Sequence, residues 1–214
     1  MAMTSAQAWM KLSGGAIKAV FVLTACSMPV AFAYDSARLA DALESLTQES
    51  FPQWEAKARS GDAVAQDVVG MAYKYGDVTV QDHAKSLHWF LQAAGQGDAD
   101  AQFNLGRIYG KATGFVYEKQ RAAPHDNALA ATWYRKAADQ GYAPAQVNLA
   151  MMVLEGSPTF PIDRGQGYFW LQQAAAVGDQ NARAQLEKVR PSLTQADKER
   201  AASFNVIQPT HFPK

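Results

Sequence analysis

The chain has 214 residues, 48% hydrophobic and 11% aromatic, with 20 basic side chains balanced by 20 acidic ones. That is enough apolar material for one elongated domain, and the balance leaves no basic stripe for nucleic acid and no like-charge run of the kind that marks a disordered tail. Cys26 is the only cysteine, which excludes an internal disulfide and a cysteine-ligated metal centre.

Residues 1–33 carry only two charged side chains, Lys11 and Lys18. Lys18 precedes the apolar run Ala19 to Ala25, then Pro29 and the small-residue site Ala31-Phe32-Ala33. This order predicts a secretory signal peptide over 1–33, a mature chain starting at Tyr34, and a periplasmic or secreted location. The alternative is a lipoprotein: Leu23-Thr24-Ala25-Cys26 resembles a bacterial lipobox, which would anchor the protein through acylated Cys26. The run falls short of the roughly 20 residues a membrane-spanning helix requires.

Residues 34–60 read as a degenerate capping hairpin, Ser36 to Glu49 and Pro52 to Ser60, with Trp54 near the position that an aromatic takes in each second helix downstream. From 61 to 178 one pattern recurs: Asp82, Trp89, Gly97 and Ala101, then Asp126, Trp133, Gly141 and Ala145, then Asp163, Trp170, Gly178 and Ala182. The spacings within each copy are identical, and the copies are offset by 44 and 37 residues, the range of helical-hairpin arrays. Each unit opens with a first helix: Ala65 to Tyr73, Ala101 to Tyr109, and Ala145 to Val153. Counting from those alanines, apolar residues at offsets 0, 4, 7 and 8 form one stripe. Small residues at offset 5 (Gly70, Gly106, Ala150) suit the close passage of another backbone. The acids predict N-caps of second helices, and Trp89, Trp133 and Trp170 with their aromatic neighbours predict wedges between hairpins. Gly97, Gly141 and Gly178 predict left-handed ends. Beyond them, residues 179–206 read as capping helices: Ala182 to Val189, stopped at Pro191, then Thr194 to Phe204 with Asp197 completing a capping-box variant. Residues 207–214 read as an irregular tail.

Ala101 to Tyr109, Asp126, Trp133-Tyr134-Arg135-Lys136-Ala137-Ala138 and Gly141 resemble the Sel-one-like repeat (SLR) family, relatives of the tetratricopeptide repeat. Ala150, Val153 and Gly167 depart from that family's pattern. The resemblance implies an all-α fold, a right-handed superhelix (α-solenoid) of antiparallel helical hairpins. It also implies a non-enzymatic adaptor that binds another protein, in envelope assembly, signalling or host interaction, or alternatively an immunity protein that neutralises a periplasm-delivered effector such as a secreted lipase.

No catalytic, metal or cofactor constellation is visible. His83, His88, His125 and His211 are scattered, and Gly165-Gln166-Gly167 is a lone G-x-G without a preceding strand. Two features point to a protein partner. Offsets 2, 6 and 9 of the first helices lie away from the stripe and carry Asp67, Met71 and Lys74, then Phe103, Arg107 and Gly110, then Val147, Met151 and Leu154. They form either a concave groove or a crowded inner radius buried by its neighbours. Within the groove reading, Met71, Lys74, Phe103, Arg107, Val147 and Met151 are the partner-binding candidates. The second feature is an insertion at residues 111–125 of the middle repeat, with Phe115, Tyr117 and Arg121, either a binding loop or a neutral surface addition.

Overall fold

The computed structural model describes residues 39–110, 125–156 and 161–204. Within them every regular element is a helix. A helical segment over residues 39–44 precedes α1 (Phe51–Arg59), α2 (Ala63–Tyr75), α3 (His83–Gly95), α4 (Ala99–Tyr109), α5 (Asn127–Asp139), α6 (Ala143–Glu155), α7 (Arg164–Ala176) and α8 (Gln180–Val189). A 3₁₀ turn, Arg190–Ser192, containing Pro191, leads to the last helix, α9 (Gln195–Ser203). From α1 to α8 each helix packs on the next, α4 also touches α6, and α9 turns back onto α7. Neighbour-on-neighbour packing of this kind is an α-solenoid. The signal-peptide segment, the 111–124 part of the insertion and the 207–214 tail lie outside the described residues.

The punctuation of the helices comes from the repeated acids. Asp82, Asp126 and Asp163 accept the free amides of Lys85, Leu129 and Gln166 at 3.0, 2.9 and 2.9 Å, as expected of N-caps. A second set of acids caps the first helices: Asp62, Asp98 and Asp179 accept from Ala65, Ala101 and Ala182. The backbone amides of Asp82, Asp126 and Asp163 also donate to the carbonyls of Tyr73, Tyr109 and Val153 at 2.9, 3.0 and 2.8 Å. Each hairpin loop is therefore closed at the same point, including the one that carries the insertion. Second helices end at Gly97, Gly141 and Gly178, with φ of 95°, 84° and 96°, a region that side chains with a Cβ rarely adopt.

The wedges differ in part from expectation. The fully enclosed side chain is the residue after the tryptophan: Phe90, Tyr134 and Leu171 are 0%, 1% and 0% exposed. Trp170 is buried, but Trp89 and Trp133 are only partly so. One residue along a helix is a turn of about 100°, which divides the two jobs. Trp89 packs on the Phe51–Tyr73 core, which joins α1 to α2, and Trp133 on the Met71–Phe90–Leu105 core, which joins α2 and α3 to α4, so each reaches toward the preceding hairpin. Phe90 and Tyr134 fill their own hairpins and lie against the small residues at offset 5: a Cβ on Gly70 would come within 2.8 Å of the Phe90 ring, and one on Gly106 within 2.5 Å of Tyr134. The glycines thus make room for an aromatic face rather than for a backbone.

A glutamine ladder stitches successive hairpins. Gln66, Gln102 and Gln146 donate to the carbonyls of Ala58, Ala94 and Ala138 at 3.0, 3.2 and 3.1 Å, each a second donor to a carbonyl near a helix end that also accepts the amide of Gly61, Gly97 or Gly141. Gln96 and Gln140 in turn donate to the side-chain oxygens of Gln66 and Gln102 at 2.7 and 2.8 Å. At the C-terminal end Thr194 and Asp197 form the capping box on α9. Arg200 of α9 makes a two-pronged ion pair with Asp163, which hydrogen-bonds that carboxyl and holds it below the usual carboxylate range.

The face of the first helices

The offset-2, -6 and -9 residues do share one face, but most of it is enclosed. Asp67, Met71, Lys74 and Val147 are buried, so the last three cannot serve as accessible anchors, contrary to the groove reading. The cause is the crowding of the inner radius, where α4 touches α6 and large side chains fill the narrow seam between first helices. Phe103, Arg107, Met151 and Leu154 remain partly exposed. Phe115, Tyr117 and Arg121 lie outside the described residues.

Phe103 is a seated ring. Its centroid lies 5.8 Å from that of Tyr134 and 5.3 Å from that of Tyr142, both in tilted contact. The Arg107 guanidinium, one turn further along α4, lies 5.7 Å from the Phe103 centroid in a cation–π stack. Met151 packs, like Phe103, on the core cluster of the second and third repeats. The accessible centre of this face is therefore a preformed patch of Phe103, Arg107 and Met151 across two adjacent helices.

Beneath the patch lies a polar floor that the sequence pattern did not reveal. Tyr142 takes the capping place of an aspartate at the start of α6, makes no cap, and donates its hydroxyl to Asp100 on α4. Burial and the neighbouring carboxylates Asp100, Asp67 and Asp98 hold the Tyr142 hydroxyl protonated, well above the ordinary tyrosine value. Lys74 donates to Asn104 at 2.9 Å. A signal was available: Tyr142 replaces the acid found at Asp62, Asp98 and Asp179, and such a break in a repeat marks a residue with other work.

Among the described residues no helix is long and apolar enough to cross a membrane, and no group of three or more His, Cys, Asp or Glu side chains could hold a metal ion.

The Sel1 repeat pattern matches residues 63–98, 99–142 and 143–179. The chain is similar to ERAD-associated E3 ubiquitin-protein ligase component HRD3A of Arabidopsis thaliana, 37% identical over 67 residues, which is 31% of this chain and 10% of that protein. It is similar in structure to c5321, a protective antigen of uropathogenic Escherichia coli strains with an SLR fold, at a TM-score of 0.61 and 30% identity over 73% of this chain and 32% of that one. A second structural relative is a Sel1 repeat protein from Oxalobacter formigenes, with a TM-score of 0.52 and 32% identity over 59% of this chain and 47% of that one. The chain thus spans less than half the length of each of these relatives. Three consecutive matches, end to end over more than half of the sequence, make this chain a member of the Sel1 repeat family.

Proposed function

We propose that the protein is a non-enzymatic, exported adaptor, periplasmic after cleavage near Ala33, that binds another protein through the face of its first helices. The observation that supports this reading is the Phe103–Arg107–Met151 patch: an aromatic ring held in place by two tyrosines, with a guanidinium stacked on it, and Met151 packed on the same core cluster as the ring. Aromatic and arginine anchors that are already ordered tend to dominate protein interfaces, because little side-chain entropy is lost on binding. The insertion at 111–125, with Phe115, Tyr117 and Arg121 in its sequence, is the second contact this reading assigns.

The test is capture from a periplasmic extract by the mature chain, with captured proteins identified by mass spectrometry. Arg107→Glu combined with Met151→Asp reverses or adds charge on the partly exposed patch, and it should abolish capture of the partner while helicity and melting stay near those of the parent. Full capture by a folded double variant would place the contact surface elsewhere. Phe103→Ala is the poorer probe, because its ring supports Tyr134 and Tyr142.

A further inference from the structure

Asp67 is 0% exposed, and among the described residues its carboxyl makes no ion pair; the Asn104 side chain is the polar group set against it. Lys74, two turns further along the same face of α2, is also buried. Its amine donates not to Asp67 but to the neutral amide of Asn104, and it lies 5.1 and 5.8 Å from the ring centroids of Tyr75 and Phe90. A lone buried charge is costly enough that such groups neutralise instead, and two buried ionisable groups that do not pair are each destabilising. The charged and titratable groups facing this pair come from α4 and its cap, namely Asp98, Asp100 and Arg107, and from the start of α6, Tyr142. From α3 come the Phe90 ring and Ser86, whose hydroxyl donates to the Gly70 carbonyl. On another flank of α2, α1 presents Glu55, which accepts from Tyr73.

We propose that Asp67 and Lys74 form a proton-sensitive seam between the first two repeats, held most weakly around neutral pH and relieved in acid through Asp67 and in alkali through Lys74. Burial first, then Asp98 and Asp100, holds the Asp67 carboxyl well above its ordinary 3.8, with Lys74 and Asn104 opposing. Folded, Asp67 keeps a proton that the unfolded chain releases above that value, so its contribution to stability falls as pH rises from about 4. Burial first, then Arg107, lowers Lys74 from 10.5 to about 7, with Asp67 opposing. Unfolded, Lys74 holds its proton up to 10.5, so its penalty is complete below about 7 and fades as pH climbs toward 10.5. The two slopes have opposite sign. Phe103 and Arg107 stand on α4, the helix that this seam joins to α2, so the firmness of the proposed binding face would follow pH.

The experiment is the melting midpoint of the full chain against pH for the parent, Asp67→Asn and Lys74→Met. The midpoint of Asp67→Asn should gain on the parent by about 5 °C between pH 4.5 and 7, and that of Lys74→Met should lose ground by a similar amount between pH 7 and 10. A flat difference, or Asp67→Asn losing ground as pH rises, would mean an ionised, paired carboxylate and would overturn the proposal. If either variant fails to fold, the ¹³C signal of the Asp67 carboxyl in the parent decides: it should titrate above the ordinary 3.8, and titration at or below that value would sink the idea.

Discussion

The second and third repeats share a plan and fill it differently. In the second, the Tyr134 ring lies against Gly106; in the third, Leu171 stands in place of that ring and Ala150 in place of that glycine. A second exchange runs the other way. Where the second repeat sets Gly110 against Ala130, the third sets Leu154 against Gly167, and a Cβ on Gly167 would lie 2.5 Å from the Leu154 side chain. Volume lost on one helix is returned on its partner, which is how close-packed interiors tolerate change. Hydrogen bonding is not conserved in the same way. Gln102 is met by Gln140, but the place matching Gln140 in the third repeat is Val177, and the buried Gln146 side-chain oxygen has no partner among the described residues. Packing is corrected pair by pair, whereas a polar ladder simply loses its last rung.

Three experiments probe that contrast. The largest effect is expected at Tyr134: replacement by Ala should cost about 3–5 kcal/mol in denaturant unfolding, while Trp133→Ala, at a partly exposed ring, should cost roughly 1–2 kcal/mol by the same transfer and cavity argument. Equal losses would refute the division between the ring that fills its own hairpin and the one that covers the preceding hairpin. Next, Gly106→Ala should cost about 2 kcal/mol, because the methyl group strikes the Tyr134 ring. Combining it with Tyr134→Leu recreates the pair of the third repeat, and a double-mutant cycle should return a favourable coupling of more than about 1 kcal/mol; strict additivity would show that the paired exchanges are coincidence. The smallest effect is expected at the missing rung. Val177→Gln should stabilise the chain by about 1 kcal/mol if the new amide reaches the Gln146 oxygen, and no gain in the thermal midpoint would mean that the oxygen is satisfied by water instead.

The candidate face was legible only in part. The helical period puts Phe103, Arg107 and Met151 on one face, and among the described candidates these stay partly exposed. The same period put Met71, Lys74 and Val147 there too, and those are buried, because periodicity gives a direction from one helix axis but not the distance to the next helix. Tyr142 sits at a cap, where the repeat calls for an acid, so the helical period alone does not place it under this face.

Spacing alone determined the class of this protein. Acids, alanines and glycines at fixed intervals specify where helices start, approach and stop, since capping, close approach and left-handed backbone are local requirements that one or two residues satisfy. What only the tertiary structure decided is which of two adjacent aromatics becomes the wedge, which glutamines find each other across repeats, and that Asp67 and Lys74 share a buried seam without an ion pair between them. Those outcomes depend on how one helix is rotated and spaced against its neighbour. That rotation is set by the summed packing of side chains from several repeats at once.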